Sequence, residues 1–297
     1  MINKRMPYWL ILPAILFIMI CFFLPAVYNI FLSFTRFYIF RLQEGPQFSG
    51  FKNYAELIRD SVFPTCLYNT FFRLTIVTVG IRLLLGLTIA LLFNASVLKR
   101  LRIMGVARTL LLIPWLTPQV VSVVIWKWLY HETYGAVNII LVNLGLLARP
   151  IPFFSRVSTV WIAVDTILIW RELPFVVIVL LAGLQSIPEQ LYEASKIDGA
   201  NKIKQFFYIT LPQLGSVLSI AVLLTTLWTF NNFVYVWLST EGGPGNYTHV
   251  LASYIFEVAF RLYEWGYAST LGTVMAGMMA VFALLYLKFV GKRSLFL

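Results

Sequence analysis

Charged side chains are scarce in this chain: Asp, Glu, Lys and Arg together make up 12% of its 297 residues, against 60% hydrophobic ones. A soluble domain carries about twice that share of charge. The deficit excludes an ordinary water-soluble protein. Histidine and cysteine are equally rare, with two of each. Cys21 and Cys66 lie in or beside apolar stretches, so no disulfide framework is expected. His131 and His249 stand apart. His131-Glu132 opens like a zinc-protease motif, but no second histidine follows, so no metal site is expected. The chain also lacks a G-x-x-x-x-G-K-[ST] phosphate loop, an H-E-x-x-H and a G-x-S-x-G, so no catalytic residues are assigned and no ATP cradle is present.

What the chain does have is long apolar blocks. Six segments, near 8–34, 69–93, 108–130, 159–184, 212–238 and 267–290, reach the roughly 20 residues a helix needs to cross a bilayer. The first follows Lys4 and Arg5 like a signal peptide. Its apolar run is too long and lacks a small-residue cleavage site, so it is expected to stay as a helix. The reading is an all-α integral membrane protein, one transmembrane domain over residues 1–297, in contact with lipid. The net charge of +11 does not point to nucleic acid, because the basic residues flank apolar spans and no basic face interleaves with aromatics.

Orientation follows from lysine and arginine. Lys4 and Arg5, then Lys99, Arg100, Arg102 and Arg108, then Lys196, Lys202 and Lys204, and finally Lys288, Lys292 and Arg293 occupy the even-numbered links and both ends. The odd links hold Glu44, Glu56, Asp60, Glu132, Glu241, Glu257 and Glu264. Six crossings with both termini in the cytoplasm satisfy the positive-inside rule. In the outer links, Phe51, Tyr54 and Leu57 recur at helical spacing, Ile139–Leu147 is expected to lie at the interface, and Glu241-Gly242-Gly243-Pro244-Gly245 is a turn cluster. In the last span Ala268, Gly272, Ala276 and Ala280 form a stripe of small residues suited to close helix packing, within this chain or against another subunit.

The fourth link, 185–212, is the most informative. Ser186 with Glu189 three residues on reads as a capping box, Pro188 suits a helix start, and Gly199 supplies the stop. A short helix is thus expected to project between the fourth and fifth spans. Ile203, Phe206 and Phe207 with Lys202 and Lys204 then suggest an amphipathic stretch along the membrane surface.

Glu193-Ala194-Ser195, Gly199, and Ile209-x-Leu211-Pro212 resemble the EAA loop of binding-protein-dependent ABC importer permeases. Ser195 stands where that motif usually has a second alanine. Trp228-Thr229-Phe230-Asn231-Asn232-Phe233, Gly242-Gly243-Pro244 and Gly266-Tyr267-Ala268 resemble the carbohydrate-uptake branch, of the maltose and glycerol-phosphate type. The resemblance implies the type I importer permease fold in a bacterial or archaeal plasma membrane. It implies a second, different permease subunit, two ABC ATPase subunits and an extracytoplasmic substrate-binding protein as partners. ATP and Mg would sit on the ATPases and no cofactor on this chain. Glu193, Ala194, Ser195, Asp198 and Gly199 would couple to the ATPases, and closure of the ATPase pair would drive alternating access.

Charges inside spans are costly and mark candidate sites. Arg82, Asp165, Arg171 and Glu172 are of this kind, and Asn231, Asn232 and Tyr235 lie in the outer half of the fifth span. A sugar needs hydrogen-bonding groups beside aromatics, which Trp170, Trp228, Tyr235 and Trp237 supply. In maltose-type permeases the helix before the EAA loop and asparagines after it contact sugar. By that resemblance Trp170, Arg171, Glu172, Asn231, Asn232 and Tyr235 are the substrate candidates. Arg82 and Asp165 read as structural. Arg171 and Glu172 point about 100° apart on a helix, so each is free to meet a different neighbour or the solute. An oligosaccharide or disaccharide is the first expectation, with glycerol phosphate or another polar solute as the alternative. A stand-alone carrier is disfavoured because no internal repeat is evident.

Overall fold

The computed structural model describes residues 6–95 and 104–294. Lys4, Arg5, Lys99, Arg100 and Arg102, which carried part of the orientation argument, lie outside the described residues. The described chain is mostly helical, with irregular links and a two-residue antiparallel ribbon pairing Thr35–Arg36 with Gln47–Phe48. Four continuous helices are long and apolar enough to cross a membrane: Leu10–Ser33, Phe63–Asn94, Val157–Gln185 and Trp265–Lys288. Two bent pairs raise the number to six if each is one span.

Two of the six expected spans are thus bent. Gly105–Leu116 and Gln119–Leu129 meet at 98°. Pro118 sits at the joint; it has no N–H to continue the first helix and is well placed to start the second. Lys202–Gln213 and Gly215–Phe230 meet at 64°. The fifth segment then stops again, because the helix ends at Phe230 and resumes only at Val234–Thr240. Asn231 and Asn232 fill the gap. The Asn232 side-chain oxygen accepts a bond from the Tyr235 N–H at 3.2 Å, satisfying one of the free donors at the new helix start.

The chain divides into two compact units. One comprises Met1–Pro64 with Leu251–Ala280, the other Thr65–Val250 with Val281–Leu297. In the first, Asn29 donates to the Ser269 carbonyl (3.3 Å) and the Thr273 hydroxyl (3.2 Å), joining the first span to the last. A side chain at Gly266 would put its Cβ 2.1 Å from the Thr35 carbonyl oxygen, so the two backbones can approach only with glycine there. Of the small-residue stripe, Ala268 is buried in this unit while Ala276 and Ala280 are exposed. Asp60, between the helices Lys52–Arg59 and Phe63–Tyr68, accepts from the hydroxyls of Tyr254 and Tyr267, each at 2.6 Å, and from the Val62 N–H at 2.7 Å. Burial pushes its carboxyl up, but these bonds outweigh burial and hold it below the usual carboxylate range.

The second unit is built around Val157–Gln185, whose Val160, Val164, Ile167, Val176, Val177 and Leu180 are fully enclosed. One buried cluster gathers around Leu74, Trp161, Ile167 and Tyr235, and another around Ala90, Val177, Leu184 and Leu214. Gly86 lets the second span pack onto the fourth: a Cβ there would lie 2.6 Å from Val176 Cγ1. Such small residues substitute for the hydrophobic drive that helix association lacks in lipid.

Candidate functional site

Two features of the second unit stand out. The first is the exposed helix Glu189–Ile197. It begins after Pro188 and ends in a complete glycine cap. Gly199 adopts φ +77°, its N–H bonds the Lys196 carbonyl at 3.1 Å, and the Ala200 N–H reaches back to Ser195 at 2.9 Å. This is the paired arrangement by which a left-handed residue satisfies the last carbonyls of a helix. The expected capping box is not formed. Ser186 instead bonds the Gly183 carbonyl at 2.8 Å, closing the preceding helix, and no side chain caps the start of the next one.

Glu193, Ala194, Asp198 and Gly199 are exposed. Ser195 turns inward, where its hydroxyl accepts from the Gln205 amide at 2.8 Å and donates to the Tyr192 carbonyl at 2.8 Å. The Tyr192 hydroxyl meets that of Thr210 at 2.9 Å. The serine therefore braces the short helix onto the segment that follows, a role an alanine has no atom to perform.

The second feature is an open cavity of about 660 Å³. Trp115, Leu116 and Gln119 from the bend at Pro118, Leu168, Arg171 and Glu172 from the long helix, and Trp228, Thr229, Asn231 and Asn232 from the broken fifth segment line it. Both helix interruptions thus open onto one space. Trp115 stacks on Phe175 at 6.1 Å, and Phe175 meets Trp228 edge-on at 4.9 Å, giving an aromatic wall.

Arg171 and Glu172 pair with each other as well as with separate neighbours. The guanidinium donates to the Glu172 carboxylate at 2.6 Å, and the Tyr235 hydroxyl donates to the same oxygen at 3.2 Å. Arg171 Nε also points to the Thr117 carbonyl, freed at the bend, at 3.4 Å. Arg82, 1% exposed, hydrogen-bonds the Thr229 hydroxyl, within electrostatic reach of Glu172. A residue read as structural thus stands directly behind the cavity wall.

The remaining candidates separate. Asn231 and Asn232 line the cavity; Tyr235 is fully buried behind it. Trp170 lies elsewhere, edge-on to Trp126 at 5.8 Å, and Trp237 stacks on Phe233 at 5.7 Å. Asp165 faces Arg73. Trp115, Gln119 and Thr229 were not singled out in the sequence as solute contacts. A proline at 118 is the signal that could have found the first two, and Thr229 stands inside the Trp228–Phe233 stretch quoted above.

Comparison with known proteins identifies the family. Residues 82–293 match the family described as "Binding-protein-dependent transport system inner membrane component". The sulfoquinovosyl glycerol transport system permease protein SmoG of Agrobacterium fabrum is 34% identical over 89% of this chain and 84% of its own. The trehalose/maltose transport system permease protein MalF of Thermococcus litoralis is 33% identical over 96% and 94%. Among solved structures, a chain of a bacterial ABC transporter involved in import of the acidic polysaccharide alginate superposes with a TM-score of 0.80. That match covers 96% of this chain and 94% of the other at 22% identity, so it speaks for the fold alone.

Proposed function

The chain belongs to the binding-protein-dependent transport system inner membrane components, and on that premise we propose that it is one permease subunit of an ATP-driven importer for a sugar. The observation that carries this reading is the presence, on one compact unit, of an exposed, glycine-capped helix and a cavity with indoles, amides and an ion pair on its walls. A sugar ring offers apolar faces to Trp115 and Trp228 and hydroxyls to Asn231, Asn232 and Gln119. The relatives named for trehalose/maltose and for sulfoquinovosyl glycerol support a carbohydrate cargo.

In this reading the protein crosses a bacterial or archaeal plasma membrane six times, each bent pair counting as one crossing, with both termini in the cytoplasm. The helix Glu189–Ile197 lies on the cytoplasmic side and seats in a partner ATPase through Glu193, Ala194, Asp198 and Gly199. ATP and Mg stay on the two ATPase subunits. A second, different permease completes the pathway, and an external binding protein delivers the solute. Ser195 and Gln205 make the short helix a stiff extension of the fifth segment, so its displacement would be transmitted to the break at Asn231. Such rigid-body transfer is how a binding event biases one of two states.

Affinity purification from membranes tests the assignment. ATPase subunits and a second permease are expected to accompany the native chain. Glu193→Arg should strip off the ATPases and leave the permease pair intact. ATPases absent from the native preparation would refute the proposal.

A further inference from the structure

Two arginines stand at the cavity, Arg171 on its wall and Arg82 bonded to the wall residue Thr229, and among the lining residues described Glu172 is the one acid. Glu172 takes Arg171 at 2.6 Å, and its charge also acts on Arg82. Asp165, the other acid of the same helix, faces Arg73 instead. The other polar residues on the wall (Gln119, Thr229, Asn231 and Asn232) are neutral. Among the described residues, one positive charge is therefore left without a counter-charge at the cavity, inside apolar helices. Arginine does not shed its proton to relieve this, and a cation at membrane depth is held at a cost unless something answers it.

The position of the surplus is also defined. Arg82 is sealed behind the wall with bonds to Thr78 and Thr229. Arg171 lines the cavity and uses two donors, one on Glu172 and one on Thr117. A guanidinium has five N–H donors. The rest of its planar fork suits a carboxylate, sulfonate or phosphate, which it binds through two parallel bonds. The hydroxyls of a neutral sugar can accept from that fork, but they leave the charge unanswered.

We propose that the transported solute is an acidic sugar or polyol whose anionic group docks on Arg171, with Arg82 behind the wall ensuring that Glu172 does not cancel the charge. This rests on the cavity being the solute site of a carbohydrate permease. It narrows the cargo from carbohydrates in general to those bearing a negative group.

The test uses the complete transporter with its binding protein in proteoliposomes and measures ATP-dependent uptake of two probe sets. The neutral set is maltose, trehalose and cellobiose; the acidic set is digalacturonate, cellobiouronate, glucose 6-sulfonate and glycerol 3-phosphate. Uptake is expected from the acidic set. Arg171→Gln should raise KM for the carried probe about tenfold, the loss of one charge-assisted contact, and Arg171→Lys should lie between. Uptake confined to neutral probes, or an acidic probe carried by Arg171→Gln with unaltered KM, overturns the charge assignment and leaves the permease reading standing. ATP-driven uptake of no probe in either set counts against the carbohydrate reading itself.

Discussion

The exposed helix Glu189–Ile197 and the cavity beside Arg171 belong to the same compact unit and are assembled in opposite ways. The helix is local: its start at Pro188, its stop at Gly199 and its brace from Ser195 to Gln205 lie within eighteen residues of chain. The cavity is not. It draws on Trp115–Gln119, Leu168–Glu172 and Trp228–Asn232, backed by Arg82 and Tyr235. A local device keeps its shape through backbone geometry, and damage to it should stay local. A cavity built where two broken helices meet a long one depends on shared polar contacts, and losing one leaves others stranded.

Glu172→Ala should break the comparison hardest. It leaves the Arg171 guanidinium and the Tyr235 hydroxyl without their carboxylate, a loss of about 3–5 kcal/mol, so assembled protein in the membrane should fall steeply. Yield and thermal melting of the purified complex measure it, and a variant that melts like the native protein would mean the network is not a unit. Gly199→Ala comes next, at about 1–2 kcal/mol for a Cβ in a left-handed turn. Its effect should appear in ATPase co-purification and not in solute affinity.

Asn232→Ala should cost about 1 kcal/mol through the lost bond to Tyr235 N–H, and solute affinity should fall as well. Asn232→Asp keeps the acceptor and should recover the stability. Equal melting temperatures for all three proteins would show that the restart at Val234 does not need the cap. The smallest effect is at Asp60, outside the spans. Its folded carboxyl is held below the ordinary value, so its contribution is present above about pH 4 and is lost as pH falls through the lowered value. Melting measured between about pH 5 and pH 3 should decline less steeply in Asp60→Asn than in the native protein.

Much of this was legible in the residues. Apolar runs marked the span positions, since only a helix satisfies its own backbone in lipid. Gly199 marked a helix stop because it alone tolerates that turn cheaply. Other readings failed where local pattern had a competitor: Ser186 lies within reach of the carbonyl of Gly183 and bonds it in place of the next helix start. Arg171 and Glu172 diverge on an ideal helix, yet a long guanidinium can fold back onto its neighbour when no other anion is nearer.

The sequence by itself determined the membrane class, the approximate spans and the capped helix, because apolar length and glycine conformation act over a few consecutive residues. Only the tertiary structure decided that the breaks at Pro118 and Asn231 face one cavity, that Arg82 stands behind it, and that Trp170 stays out of it. Those facts depend on which helices pack together and at what angle, and no stretch of chain encodes the angle between two others.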